Sequence, residues 1–194
     1  MSSYYYFTAT LPSLQPNASA PPIAYAEFIE MAGRFLSPKD VAVISCARLF
    51  IPEDARFPAM AASSELLSRY YRWELSLRNE LARLRAGRLQ KPVEKHVKPG
   101  DPEWEALKTA QSAFQADDPL QGELLIERER WGFIESLAVN KLFDMEYLVA
   151  YALLLQAMER RACFDVERGQ EGYRTVYGSV LENADYRDES GENT

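Results

Sequence analysis

The sequence predicts an all-α protein, an antiparallel array of about six or seven helices closed by short loops. Three observations predict it. Apolar side chains recur at helical spacing over most of the chain. Ser-Pro and Asp-Pro pairs stand where those runs begin, as helix starts require. Hydrophobic residues make up 47% of the 194 and charged residues 26%, a composition that supports a real core.

The opening Tyr4, Tyr5, Tyr6 and Phe7 suits a strand by propensity, while Thr8 to Leu11 can equally begin a helix, so both conformations stand for residues 4–11. Pro16, Pro21 and Pro22 mark a loop. Tyr25, Phe28, Ile29, Ala32 and Phe35 then trace one face of a short helix whose end Gly33 weakens. Ser37 before Pro38 caps a second short helix, continued by Val41, Ile44 and Leu49. Pro52 and Pro58 bracket a break, after which Ser63 or Ser64 caps a long helix running to about Arg88. Its stripe is Leu66, Tyr70, Trp73, Leu77, Leu81 and Leu84, with Arg69, Arg72, Arg78, Arg83 and Arg85 on the flanks and back.

Gly87 begins to fray that helix, and Lys91 to Gly100, with two prolines and the sole histidine, His96, reads as an exposed basic connection. One array would divide into two small bundle modules there. Asp101, Pro102 and Glu103 start the next helix, with Trp104, Leu107, Ala110 and Phe114 as its apolar face. Asp117 or Asp118 with Pro119 starts another, extended by Leu120, Leu124, Trp131, Ile134, Ala138 and Leu142. Asp144 caps the most apolar helix, in which Tyr147, Leu148, Tyr151, Leu154, Leu155 and Met158 cover so wide an arc that it is expected to be central. A last helical segment between Gly169 and Val180 holds Tyr173, Val176 and Tyr177 and completes a helical domain over 1–181. The acidic, polar residues 182–194 read as a disordered tail.

Net charge is −7 and the isoelectric point about 4.9, so nucleic acid and anionic lipid are poor partners. Cys46 and Cys163, far apart in apolar helical settings, read as buried free thiols. No signal-peptide pattern opens the chain, and the longest apolar stretch, Tyr147 to Met158, falls short of the roughly 20 residues of a membrane span. The expectation is a cytoplasmic protein without direct membrane insertion.

The residues of chemistry are sparse. A single histidine cannot furnish a ferritin-like or zinc centre, and His96 between Lys95 and Lys98 reads as solvated. Neither GxxxxGK[ST] nor GxGxxG occurs, which removes both standard phosphate cradles. The expectation is no catalytic residue, no metal and no cofactor. Glu127, Arg128, Glu129 and Arg130 read as a solvated helix surface laced by ion pairs. Tyr70, Tyr71 and Trp73 read as core packing rather than a base-stacking platform. Polar residues inside apolar stripes, Asn79 in one helix and Glu146 or Glu159 in the other, either face water or find partners that fix helix register.

The opening SYYYFTATLPSL, the segment WELSLRNELARLRA and the ending FDMEYLVAYALLLQAMERRACFDVERGQEGY together resemble a small bacterial family of unassigned function encoded among V-type ATP synthase genes. The likeness runs nearly end to end. Part of the chain is also similar to a longer protein, the central-stalk socket of V/A-type rotary ATPases, which joins the stalk to the membrane ring. Glu74, Leu77, Arg78, Asn79, Leu81 and Arg85 match a recurring helix of that socket, with Glu80 inserted between Asn79 and Leu81. Asp144, Tyr147, Leu148, Tyr151 and Arg160 match its final helix.

The resemblance implies a non-catalytic helical adaptor whose partners are central-stalk and membrane-ring subunits, held peripherally at the inner membrane face through those proteins. The alternative is an unrelated helical scaffolding or regulatory module that binds partner helices. An enzyme using Glu123 or Glu127 would need a deep pocket lined by carboxylates of raised pKa.

Overall fold

Helices and loops account for the described residues of the computed structural model, which are 3–51, 62–164 and 176–177, and no strand occurs among them. Seven helices are described. They are α1 (Ser3–Thr10), α2 (Tyr25–Phe35), α3 (Pro38–Ser45), α4 (Glu65–Leu89), α5 (Trp104–Phe114), α6 (Pro119–Ala138) and α7 (Met145–Ala162). Met1–Arg161 forms one compact unit, which contains residues 91–100, and Ala162–Thr194 forms a second. The proline-bracketed break at 52–58, the segment 169–180 apart from Val176 and Tyr177, and the tail 182–194 lie outside the described residues.

Helix α1 resolves the ambiguous opening. Phe7 is wholly buried and stacks on Phe28 at 5.6 Å and Phe35 at 5.4 Å, both on α2. Strand propensity expresses packing on a pleated surface, and the described residues offer this segment an aromatic helix face instead. Ser37, Ser64 and Asp118 cap α3, α4 and α6 as read, accepting from the backbone N–H of Asp40, Leu67 and Leu120. Helix α3 is shorter than expected, ending at Ser45, so Leu49 is buried from the loop that follows. Helix α4 passes through Gly87 and stops at Gln90, whose φ of 52° places it in the left-handed region while Lys91 N–H returns to Ala86 O.

Helix direction departs from a wholly antiparallel array. The Glu103 N–H donates to Ser76 Oγ at the middle of α4, whereas Phe114 at the far end of α5 lies under Arg88 near the end of α4. Helix α5 therefore runs with α4. The 90–103 connection makes this possible by doubling back along α4, where Asn79 exchanges two hydrogen bonds with the Lys98 backbone. The four-residue loop after α5 reverses the chain, so α6 is antiparallel to α5.

Small side chains let α5 sit close to its neighbours. Its buried face is Ala106, Thr109 and Ala110, and a Cβ on Gly122 of α6 would stand 2.8 Å from the Ala113 carbonyl oxygen. Trp104, expected on the buried face, is 76% exposed, because the face that α5 buries runs through Ala106, Thr109 and Ala110 instead. Helix α6 also ends earlier than its apolar pattern suggested. Val139 is extended and Asn140, at a φ of 65°, turns the chain toward α7, leaving Leu142 exposed. Cys46 is half-buried and Cys163 exposed, which corrects the expectation of two buried thiols.

Candidate functional site

Helix α7 is the centre of the first unit, with ten buried residues from Leu148 to Met158. Its polar side chains hold the other elements by their backbones. Asp144 caps α7 itself, accepting from the Tyr147 N–H at 2.9 Å. Glu146 caps α4, accepting from Ser64 Oγ at 2.7 Å and from the Glu65 and Leu66 N–H groups at 3.1 Å. Glu159 accepts from the first N–H of α2, that of Tyr25, at 2.7 Å. Between them Gln156 donates to Ala47 O and accepts from Leu49 N–H. Tyr151 donates to Pro12 O. The polar residues inside both stripes thus have partners, and those partners are helix N-termini and loops, where orphan backbone groups need them.

A charged cluster lies where α4, α6 and α7 meet. Arg130 of α6 is 3% exposed and Glu74 of α4 only 1%. Arg130 donates to Glu74 Oε2 from Nη2 at 3.0 Å and from Nε at 3.3 Å, and its Nη1 donates to Glu127 Oε1. Glu74 Oε1 accepts from Arg78 Nε at 2.8 Å. Arg160 of α7 completes the chain, donating to Glu127 Oε1 at 2.8 Å and to Glu123 Oε2 at 3.0 Å. Three carboxylates face three guanidiniums, so the cluster is balanced in charge. Phe50 rests on it, with the guanidinium carbons of Arg78, Arg160 and Arg130 at 4.9, 5.3 and 5.4 Å from its ring centre.

The solvated reading of 127–130 is therefore half corrected. Arg128 and Glu129 face water and pair with each other, but Glu127 and Arg130 are buried, because Glu74 waits across the helix interface to meet Arg130. Burial pushes the Glu127 carboxyl above the usual carboxylate range, and the nearby Arg130 and Arg160 pull it back. One oxygen, Glu127 Oε2, is buried without a hydrogen-bond partner, and the indole N–H of Trp131 shares that condition. Tyr70, whose hydroxyl donates to Leu49 O at 2.7 Å beside the cluster, is kept neutral by burial well beyond an ordinary phenol.

Of the residues singled out in the sequence, Glu74, Arg78 and Arg160 come together here. Asn79 is spent on Lys98, Asp144 on capping, and Tyr151 on Pro12. Tyr147 packs against the core and Tyr151, while Arg85 is exposed on α4 and takes no part in the charged cluster's hydrogen bonds described above. Sequence reasoning missed Arg130 and Phe50. Arg130 carried a usable signal, since it follows Glu127 by three residues on a helix face that also bears Ile134. Phe50 carried none.

Exposed apolar side chains gather elsewhere. Tyr5 and Tyr6 of α1 are in ring contact with each other, and Tyr5 lies 5.0 Å from Phe143 in the α6–α7 connection, which also exposes Val139 and Leu142. Among the described residues, no group of three or more His, Cys, Asp or Glu is placed to hold a metal ion, and no helix is long and apolar enough to cross a membrane. No family model, curated protein or solved structure matches the chain.

Proposed function

We propose that this chain is a non-catalytic helical adaptor of a V/A-type rotary ATPase, coupling or helping to assemble the central stalk and membrane ring from the cytoplasmic side. The observation that carries the reading is the fate of the residues shared with the stalk socket. Glu74 and Arg160 are spent on binding α4 and α7 to α6, and Arg78 on holding Glu74 from its own helix, which makes a stiff body of the kind torque transmission needs. The exposed apolar group of Tyr5, Tyr6, Val139, Leu142 and Phe143 supplies a docking surface, since such patches mark protein contacts.

A second reading has one observation in its favour: Glu127, of raised pKa, lines a pocket, as a catalytic carboxylate would. Its Oε1 is held between two guanidiniums, and no histidine, thiol or second carboxylate lines that pocket among the described residues, so acid–base chemistry lacks a second participant there. The adaptor reading is tested by gentle recovery of the tagged full chain from its native cell, with crosslinking through Lys141 beside the apolar patch. Stalk or ring proteins crosslinked to that patch are expected, and a Tyr5→Asp/Phe143→Asp variant of unchanged helicity is expected to lose them. Recovery of no rotary ATPase component overturns the proposal.

A further inference from the structure

Cations concentrate where α4 ends. Residues 83–98 carry six lysines and arginines against one carboxylate, Glu94, a net +5 in a chain of net −7, which leaves −12 for the remainder. Arg83 pairs with Glu80, and Arg88 lies over the Phe114 ring in the last turn, where the helix dipole favours a cation. Arg85, Lys91 and Lys95 are exposed and make no ion pair among the described residues. A hollow opens at the same place. Ala82, Arg85, Ala86 and Leu89 follow one another at i, i+3, i+4 and i+7 and so share one face of α4. With Lys91 and His96 of the connection they line a half-open space of about 470 Å³. Its floor is apolar, with Leu89 63% exposed, and among the described residues no carboxylate lines it. The hollow on the other side of Arg85 and Leu89 includes Asp117 and Glu123, so the cationic side is the one turned to the connection.

Charge complementarity selects the occupant. An apolar floor between exposed cations matches a segment in which a large apolar side chain stands among carboxylates. A nucleic acid matches less well, because no aromatic side chain lines the hollow for a base to stack on and a strand running beyond it meets a surface of acidic balance. A small inorganic anion leaves Leu89 uncovered. We propose that the end of α4 and the connection after it bind an acidic segment of a partner protein, with one large apolar side chain against Ala82 and Leu89 and its carboxylates on Arg85 and Lys91. This surface shares no residue with the apolar group at Tyr5 and Phe143, and the proposal does not rest on the adaptor reading.

The test titrates the ¹⁵N-labelled full chain with the blocked peptide GEELEEG at about 0.15 M salt, where exposed charges act over only about 8 Å. Saturable movement of the backbone resonances of residues 82–96 is expected. Replacing the peptide's leucine by glycine is expected to weaken binding about fivefold, the effect of leaving a partly covered leucine out. Arg85→Glu/Lys91→Glu is expected to weaken it about tenfold, with Arg85→Gln/Lys91→Gln in its place should the reversed variant lose helicity. Arg69→Glu/Arg72→Glu changes the net charge equally at exposed positions nearer the start of α4, and is expected to leave binding unchanged. No saturable movement at 82–96, equal binding of the peptide without leucine, or equal loss in the two charge-reversed variants overturns the proposal. So does tighter binding of a thymidine oligonucleotide of the same charge, which would make the patch a nucleic-acid surface.

Discussion

Replacing Arg130 by Met removes the cation that holds α4 to α6 while keeping a side chain of similar length. In the native chain Arg130 donates twice to Glu74 and once to Glu127, and all three side chains are almost wholly buried. At 3.0 Å and an effective dielectric of about 20, one such charge contact is worth about 5 kcal/mol before desolvation is set against it. Without Arg130, Glu74 keeps only the half-exposed Arg78 on its other oxygen, and Oε2 is left charged in a closed space. Breaking a buried pair in this way costs about 3–5 kcal/mol, a third or more of the stability of many domains. Urea unfolding followed by tryptophan fluorescence and helical circular dichroism reads the change. With a slope of about 2 kcal/mol per molar urea, the midpoint is expected to fall by about 2 M at unchanged slope. The triple variant Glu74→Leu/Glu127→Leu/Arg130→Met is expected to regain most of the loss, since it leaves no buried charge, frees only the half-exposed Arg78 and keeps Arg160 paired with Glu123. A loss below about 1 kcal/mol for Arg130→Met refutes the argument, because it would mean the cluster is as well hydrated as a surface pair.

Glu146→Ala removes the side chain that meets Ser64 Oγ and two N–H groups at the start of α4, so a loss of about 2–3 kcal/mol is expected in the same urea assay; an unchanged midpoint would show those groups satisfied without it. Alkaline pH is expected to destabilise the fold through Tyr70, Tyr71 and Tyr151, whose hydroxyls burial raises above the ordinary phenol value. The unfolded chain ionises these groups near pH 10 while the folded chain does not, so their contribution is complete below about pH 10 and is lost as pH climbs toward the folded values. Each contributes a fall of about 1.4 kcal/mol per pH unit in that window. Urea midpoints measured at about pH 9.5 and pH 11 that coincide would contradict this.

What the sequence displayed locally, the fold used. Ser37, Ser64, Asp118 and Asp144 were readable as caps because a cap acts within three residues of itself, and the wide apolar arc of Tyr147 to Met158 already required a central helix. The failures are all matters of long range. The spacing of Glu127, Arg130 and Ile134 could have turned Arg130 inward, but its meeting with Glu74, 56 residues away, is not encoded in the alternating charges of 127–130. Trp104 misled because the stripe that α5 buries against its neighbours is Ala106, Thr109 and Ala110, chosen by how closely those neighbours pack rather than by the size of its own apolar side chains. The direction of α5 depended on how the 90–103 connection returns along α4, a path fixed by the two hydrogen bonds of Asn79. Asn79, Glu146 and Glu159 were legible as polar residues in apolar stripes, but their partners were not, lying 19, about 80 and 134 residues distant.

The proposed likeness to the rotary-ATPase socket rests mostly on residues whose side chains are engaged within their own fold, Arg85 excepted, and this bears on how the adaptor proposal should be probed. A shared Glu74, Arg78 or Arg160 argues for a shared way of packing helices, since each is engaged with another helix or its own turn. It says nothing about which partner is gripped. Partner choice must come from groups free to change without disturbing that packing, and Tyr5, Leu142 and Phe143 meet the condition because they are exposed at one edge of the unit. Substitutions in the charged cluster should then lower stability while the protein that remains folded still docks, whereas substitutions at the apolar edge should abolish docking at unchanged stability. Should the two classes of variant fail together, stiffness and recognition would reside in the same residues, and the division of labour argued from the buried cluster would be mistaken.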